Sequence, residues 1–457
     1  QDCAVSRPER SLRGREEDQT MESLNIAFIV LMLLVFYLGL GVWVFSGLLL
    51  VSVSGLVLLL DMPFHRIGTI MAPLILRSAT SWELSAIPMF VWMGELMFRT
   101  DISDRLFRSL SPLVYHLPGR LLHTNVFGSA LFAAVSGSSA ATTATVGKIT
   151  TSELMDRGYS SSLAFGSLAG AGSLGLLIPP SIVLIVYGVL AEVSISRLFA
   201  AGVYPGLLIA ALYSGYIMFR SVLNPSLTPA KEKPPTFLDM GLGLVNLIPI
   251  ALLIFIVLGA IYSGFATPSE AGAVGVAATL FMALVTRQLT RKIFFESLMA
   301  AVRTSCMIAS ILLAAAFLST SMAYLHVPQD VAKSIAMMEL SPYELIFVLA
   351  IFYILLGLFL EGISITVMSL PITLPLVLAS GFDPVWFGIF LVIMVELAQI
   401  TPPIGFNLFI IQGLTGTPIF RVAIAAAPFF ILMCVAAAII TIYPEIALYL
   451  PDKLFNK

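Results

Sequence analysis

From Leu24 onward the chain is a series of apolar segments near 20 residues long, the length an α-helix needs to cross a hydrocarbon layer about 30 Å thick. Such segments can satisfy their backbone in lipid only as helices or as a closed barrel. Barrel strands alternate apolar and polar residues, whereas 248–261 is continuously apolar, so the chain reads as an all-α polytopic membrane protein. Composition agrees: 24 Lys+Arg and 26 Asp+Glu in 457 residues leave 11% charged, against about 25% in soluble domains. A net charge of −2 offers no basic face for nucleic acid. Cys3, Cys306 and Cys434 form neither a disulfide framework nor a zinc site, and none of the 4 His sits in an HExxH pattern.

Full spans are expected near 24–40, 42–60, 84–99, 159–192, 198–220, 243–263, 268–287, 303–325, 383–412 and 418–442, with 159–192 and 383–412 over-long and broken. Two further regions, 121–156 and 343–380, are apolar but interrupted by small polar residues: Ser136-Gly137-Ser138-Ser139 in the first, Glu361-Gly362-Ile363-Ser364 in the second. Each is read as a re-entrant hairpin of two half-helices, because a break at membrane depth is tolerated only where protein or water covers it. Residues 101–120 and 288–302 are amphipathic, and 224–235 is a Pro/Lys linker. Residues 1–23 form a polar tail, with Met21 resembling a natural start and 1–20 read as non-native.

An internal repeat is expected. Pro179-Pro180 and Pro205 recur as Pro402-Pro403 and Pro428 at an offset of 223 residues, and the same offset pairs Thr143 with Thr366 and Gly158 with Gly381. With the first hairpin open to the cytoplasm, 13 Lys/Arg fall in cytoplasmic segments (among them Arg105, Arg108, Arg120 and Arg157), against 4 in external loops (Arg66, Arg77, Arg197 and Lys333). That orientation satisfies the positive-inside rule and makes the repeat inverted. It puts the N-terminus outside, which the 4 Arg of residues 1–20 fit poorly.

The interruptions carry the chemistry. Ser136, Ser138 and Ser139 offer hydroxyl and carbonyl oxygens without formal charge, a set suited to a monovalent cation. Pro179 and Pro180 lack N–H donors and free carbonyls a turn earlier. A Na⁺ between the hairpin tip and the carbonyls of Gly175, Ile178 and Pro179 satisfies both sides; a proline kink packed on small residues is the structural alternative. The second half repeats the arrangement, Glu361–Thr366 facing Ala398–Gly405. Half-helix N-termini from both hairpins then favour an anionic substrate group. Glu95, Lys148, Glu361 and Glu396 lie in apolar context and are functional candidates on that ground. Lys148 attracts a carboxylate or is salt-bridged, and Glu361 and Glu396 hold a cation, hold a proton or pair with hydroxyls. Trp43, Trp82, Trp92 and Trp386 read as interface anchors.

Four motifs in order, Phe132–Ala140 (FAAVSGSSA), Gly172–Ser181 (GSLGLLIPPS), Thr267–Gly272 (TPSEAG) and Ile400–Phe409 (ITPPIGFNLF), resemble the large membrane (permease, DctM-like) subunit of tripartite ATP-independent periplasmic (TRAP) transporters. The resemblance implies an elevator-type secondary transporter in the bacterial inner membrane. Its mobile domain is made of 121–192 and 343–412, joined by arms 101–120 and 288–302 to scaffold helices in 24–100, 193–287 (with linker 221–240) and 303–342; 413–457 is the final helix and tail. It implies Na⁺ coupling without nucleotide, a separate small four-helix membrane subunit, and a soluble periplasmic binding protein that delivers a carboxylate such as sialic acid or a dicarboxylate. By position, one Na⁺ site would fall on Ser136, Ser138, Ser139, Gly175, Ile178 and Pro179, and a second on Gly362, Ser364, Thr366, Ala398, Thr401 and Ile404. Apart from the resemblance, Lys148, Ser138 and Glu361 are the candidate substrate contacts. Glu361 stands where the family often has Asp, and Ala398 where Gly is common. A stand-alone cation-coupled dicarboxylate symporter is the alternative, and an intramembrane hydrolase a remote one. No catalytic residue is expected.

Overall fold

The computed structural model describes residues 26–455 apart from 27, 28, 31, 35, 38, 230–233, 330–339, 359 and 402–404. The polar tail, Lys231, Lys233, Lys333, Pro402, Pro403 and Ile404 therefore lie outside the described residues. Every described element is helical, and six helices are long and apolar enough to cross a membrane.

The chain divides into two compact units. One takes residues up to 81 with 308–349 and 367–384. Its helix Val44–Leu60 stops where Asp61 turns left-handed, and Pro63 then opens the helix Phe64–Ala79. Leu56, Met62, Ile67 and Phe317 form its buried core. Phe64–Ala79 was not expected as an element: His65, Arg66 and Arg77 break its apolar pattern, which suits a helix with only one apolar face.

The second unit takes 82–307, 350–366 and 385–457. Glycines let its helices approach closely, as small residues do wherever lipid gives helices no hydrophobic drive to associate. Pro268–Val285 packs on Ala86–Arg99 through Gly272 and Gly275, where a Cβ would lie 2.8 Å from Met89 and 2.5 Å from Met93 Sδ. Ser161–Gly172 packs on Ile419–Ile442 through Gly166 and Gly170, the latter 2.7 Å from Phe429 Cβ by the same measure. The TPSEAG motif is a helix start. Thr267 Oγ1 accepts from Glu270 N–H while Glu270 accepts from Thr267 N–H at 2.8 Å, closing a capping box.

Both interrupted regions fold as helix–turn–helix. The first pairs Leu122–Ser136 with Ser139–Asp156, its open end tied by Tyr159 Oη accepting from Leu121 N–H at 3.4 Å. The second pairs Pro342–Leu356 with Gly362–Ala379, its open end closed by Tyr343 against Phe382. The two hairpins share features at element level. Ser139–Asp156 and Gly362–Ala379 have the same length and the 223-residue offset, and each ends before a left-handed glycine, Gly158 at φ 82° and Gly381 at φ 86°. Pro205 and Pro428 both lie inside long helices, Ile195–Leu223 and Ile419–Ile442.

Three expectations are corrected. Residues 291–302 are not a separate arm but the first turns of one helix, Arg291–Tyr324, because no proline or glycine interrupts them. Trp386 is no interface anchor: it is fully buried and donates to Ile440 O at 3.0 Å, the partner a buried indole requires. Trp92 is half-buried and donates to Ser297 Oγ at 3.2 Å, whereas Trp43 and Trp82 are exposed as expected.

Candidate functional site

The first hairpin closes on Gly137, whose φ of 59° is the left-handed conformation that a side chain disfavours. Ser138 then caps the next helix, its Oγ accepting from Ala141 N–H at 3.4 Å. This tip rests in the break of the following helix. Ile182 N–H donates to Gly137 O at 3.3 Å, and Ser139 Oγ donates to Gly172 O at 3.1 Å. A Cβ on Gly175 would lie 2.6 Å from Ser138 O, and one on Gly137 would lie 2.8 Å from Pro180 O. The break comprises a 3₁₀ turn, Ser173–Leu176, and a non-helical stretch to Ser181 that contains a cis Pro179-Pro180 bond. Behind it, Gly202 and Gly206 let Ile195–Leu223 press on Leu177 and Ile178.

Ser136, Ser138 and Ser139 are thus brought against the Gly172–Ser181 break that holds Gly175, Ile178 and Pro179. Ser136 and Ser139 are buried, Ser138 and Ile178 half-buried. Ser136 Oγ is 2.9 Å from Thr142 Oγ1, which also donates to Ser138 O at 2.7 Å.

The second hairpin tip meets the second broken helix similarly. A Cβ on Gly362 would lie 2.6 Å from Val395 Cγ1 and 3.3 Å from Gln399 Nε2. Gly357 makes room for the Ala398 side chain, so the methyl group at that position is accommodated. Thr401 Oγ1 donates to Leu397 O at 2.6 Å, Thr366 Oγ1 to Gly362 O at 2.9 Å, and Ser364 Oγ to Glu361 Oε1 at 3.4 Å. Ser364 and Thr366 are buried, and Glu361 is exposed.

The two halves join through residues outside the expected ligand sets. Leu176 N–H donates to Glu396 Oε1 at 2.8 Å, and Asn407 Nδ2 donates to Ser139 Oγ at 2.8 Å. Glu396 is 1% exposed and lies beside the Ser139 hydroxyl, and Thr143 Oγ1 abuts Gly172. Glu396 Oε2, Asn407 Oδ1 and Thr143 Oγ1 are buried without a hydrogen-bond partner among the described residues. Buried polar atoms are rarely left so. Asn407 stands in the quoted ITPPIGFNLF motif, but one amide in an apolar run is a weak signal; Glu396 was a candidate without a partner.

Lys148 is not brought to the tip. It lies nine residues beyond Ser139, and at 1.5 Å per helical residue that is about 13 Å away. It lines an open cleft with Asp104, Ser152, Glu153 and Asp156. Glu95 is paired: Arg99 donates to it at 3.1 Å and reaches Glu296 at 3.2 Å.

The described helices, six of them long and apolar enough to cross a membrane, make this an all-helical, multi-span membrane protein. The solved structure of the Alcanivorax borkumensis YdaH transporter shares this fold, with a TM-score of 0.56 over 84% of this chain and 88% of that one at 13% identity. The model of the tripartite ATP-independent periplasmic transporter, DctM component, matches residues 26–446, and the chain belongs to that family. It is 35% identical to the C4-dicarboxylate TRAP transporter large permease protein DctM of Pseudomonas aeruginosa, over 83% of this chain and 88% of that one. It is 30% identical to the sialic acid TRAP transporter large permease protein SiaM of Vibrio cholerae, over 81% and 87%. The chain is a transporter large permease and not an enzyme.

Proposed function

We propose that this permease imports an organic acid across the bacterial inner membrane, drawn by Na⁺ moving inward, and that a soluble periplasmic protein delivers the acid. The observation that carries the Na⁺ part is the set of buried oxygens with no hydrogen-bond partner among the described residues, Glu396 Oε2, Asn407 Oδ1 and Thr143 Oγ1, behind a hairpin tip of serines. These are hard, oxygen-only donors, and they fit an alkali cation. Ser136, Ser138, Ser139, Gly175, Ile178 and Pro179 would hold one Na⁺. Gly362, Ser364, Thr366, Ala398 and Thr401, with Ile404, would hold a second. Bound Na⁺ supplies positive charge beside two hairpin helices whose N-termini carry partial positive charge of their own, a setting that attracts a carboxylate. Ser138, half-buried, and Glu361, exposed at the second tip, are the substrate-facing candidates; Lys148 lies too far along its helix to join them.

A carboxylate-bearing substrate also suits the C4-dicarboxylate and sialic acid relatives. Because the family is tripartite, we assign two partners, the binding protein and a small four-helix membrane subunit. The repeat is read as inverted, and the body that carries the site across the membrane as 121–192 with 343–412, in an elevator movement. In proteoliposomes under an inward Na⁺ gradient, uptake is expected only when permease, small subunit and ligand-loaded binding protein are all present. Equal uptake of free ligand without binding protein would favour the stand-alone symporter.

A further inference from the structure

At the start of the membrane-crossing helix Phe237–Tyr262 lies a cavity of about 870 Å³ unrelated to the hairpin tips. Arg105, Arg108, Arg120 and Arg157 line it, from the amphipathic helix Ile102–Val114 and from the two ends of the first hairpin. Gly243 seats the spanning helix on that amphipathic helix, since a Cβ there would lie 2.7 Å from Ser109 O.

The charge balance of this cavity is positive. Asp239 is the single carboxylate among its described lining residues, and it is engaged, accepting from Thr236 N–H at 2.8 Å and Thr236 Oγ1 at 2.7 Å. Arg157 pairs with Glu153 at 2.6 Å, and Arg120 donates to Pro229 O at 3.0 Å with its guanidinium over the Tyr115 ring. Arg105 and Arg108 are exposed and form no ion pair with a described carboxylate, although Arg108 also borders the cleft that holds Asp104 and Asp156. Beside the cavity, Leu238, Leu242, Val245, Leu252 and Ile256 make an exposed apolar stripe at helical spacing along the span, and Leu242 belongs to both surfaces.

A basic cavity continuous with an apolar stripe matches a molecule with an anionic head and apolar tails. We propose that it binds the phosphate headgroup of an anionic phospholipid of the cytoplasmic leaflet, with the acyl chains along the Leu238–Ile256 stripe. Arg105 and Arg108 are the main contacts to the phosphate. The leaflet follows from the 13-to-4 distribution of Lys/Arg, and basic pockets beside spanning helices on that side suit such lipids. Free phosphate shares the headgroup chemistry, but the stripe gives it nothing to contact.

The test uses the full chain, purified in detergent and stripped of lipid, with native mass spectrometry and thermal unfolding as readouts. Phosphatidylglycerol is expected to bind and to raise the unfolding midpoint, whereas phosphatidylcholine and inorganic phosphate do so weakly. Each arginine near a lipid surface contributes about fivefold in affinity, so R105Q/R108Q is expected to lose about 25-fold. R291Q, on a different cytoplasmic segment, is expected to bind as the parent does. If the double variant does not fold, R105Q and R108Q singly carry the test at about fivefold each. Undiminished phosphatidylglycerol binding by these variants would overturn the proposal. So would an equal midpoint shift from inorganic phosphate, which indicates a soluble-anion site, or loss of lipid when the small subunit is added, which indicates a protein interface.

Discussion

Gly175→Ala is expected to lower uptake about 100-fold, the scale on which a displacement near 1 Å disables a precisely assembled site. The added Cβ would stand 2.6 Å from Ser138 O and 2.7 Å from Ser139 Cα. Both are backbone atoms of the hairpin tip, so no side-chain rotation relieves the clash; either the tip lifts or the 3₁₀ turn shifts. Either movement pulls the serine oxygens from the carbonyls beside which they lie. Gly413→Ala is the matched control, because a Cβ there meets nothing within 4 Å and a helical alanine is favoured over glycine. Uptake by Gly175→Ala at the parent rate, with the protein folded, would mean that the seating of tip in break is not needed for transport.

The second large effect is expected at Glu396, whose two oxygens have separate tasks. Oε1 accepts from Leu176 N–H and so holds the 3₁₀ turn of the first half from a helix of the second. Oε2 has no hydrogen-bond partner among the described residues. Glu396→Leu removes both and leaves the Leu176 N–H buried and unpaired, at a cost of about 1–3 kcal/mol that thermal unfolding reads as a lower midpoint. Glu396→Gln keeps an acceptor for Leu176 and replaces the second oxygen with an amide. It is expected to retain most of the stability while raising the Na⁺ concentration for half-maximal uptake about tenfold, the scale on which groups that support a metal site from behind its ligands act. An unchanged Na⁺ titration in Glu396→Gln would mean that this side chain does not support the cation sites.

The contrast between what the sequence discloses and what it hides follows from the physics of each element. The hairpins and broken helices were legible because serine, glycine and paired prolines punctuate apolar runs, and the 223-residue offset of Pro179 and Pro402 tied the halves together. The offset concealed a difference. The first helix ends at Gly172, where glycines at 170, 172 and 175 weaken it, whereas its counterpart continues to Ile400 through Glu396, Leu397, Ala398 and Gln399. Those extra turns carry Glu396 to the other half's backbone, a contact between residues 220 positions apart that no local pattern announces. Lys148 misled in the opposite way, because it is near Ser139 in sequence but on a helix that leads away from the tip. The burial of Trp386 is not legible in the sequence, because hydropathy does not distinguish a tryptophan at a lipid surface from one enclosed by helices.

The measurement that bears most directly on Na⁺ coupling is uptake in proteoliposomes holding permease and small subunit, with ligand-loaded binding protein outside and Na⁺ or choline as the external cation at one pH. Accumulation of the acid with external Na⁺, entry of labelled Na⁺ alongside it, and only background uptake in choline are expected. Equal accumulation in choline would contradict Na⁺ coupling, because the oxygen-lined tips would then have no coupling role.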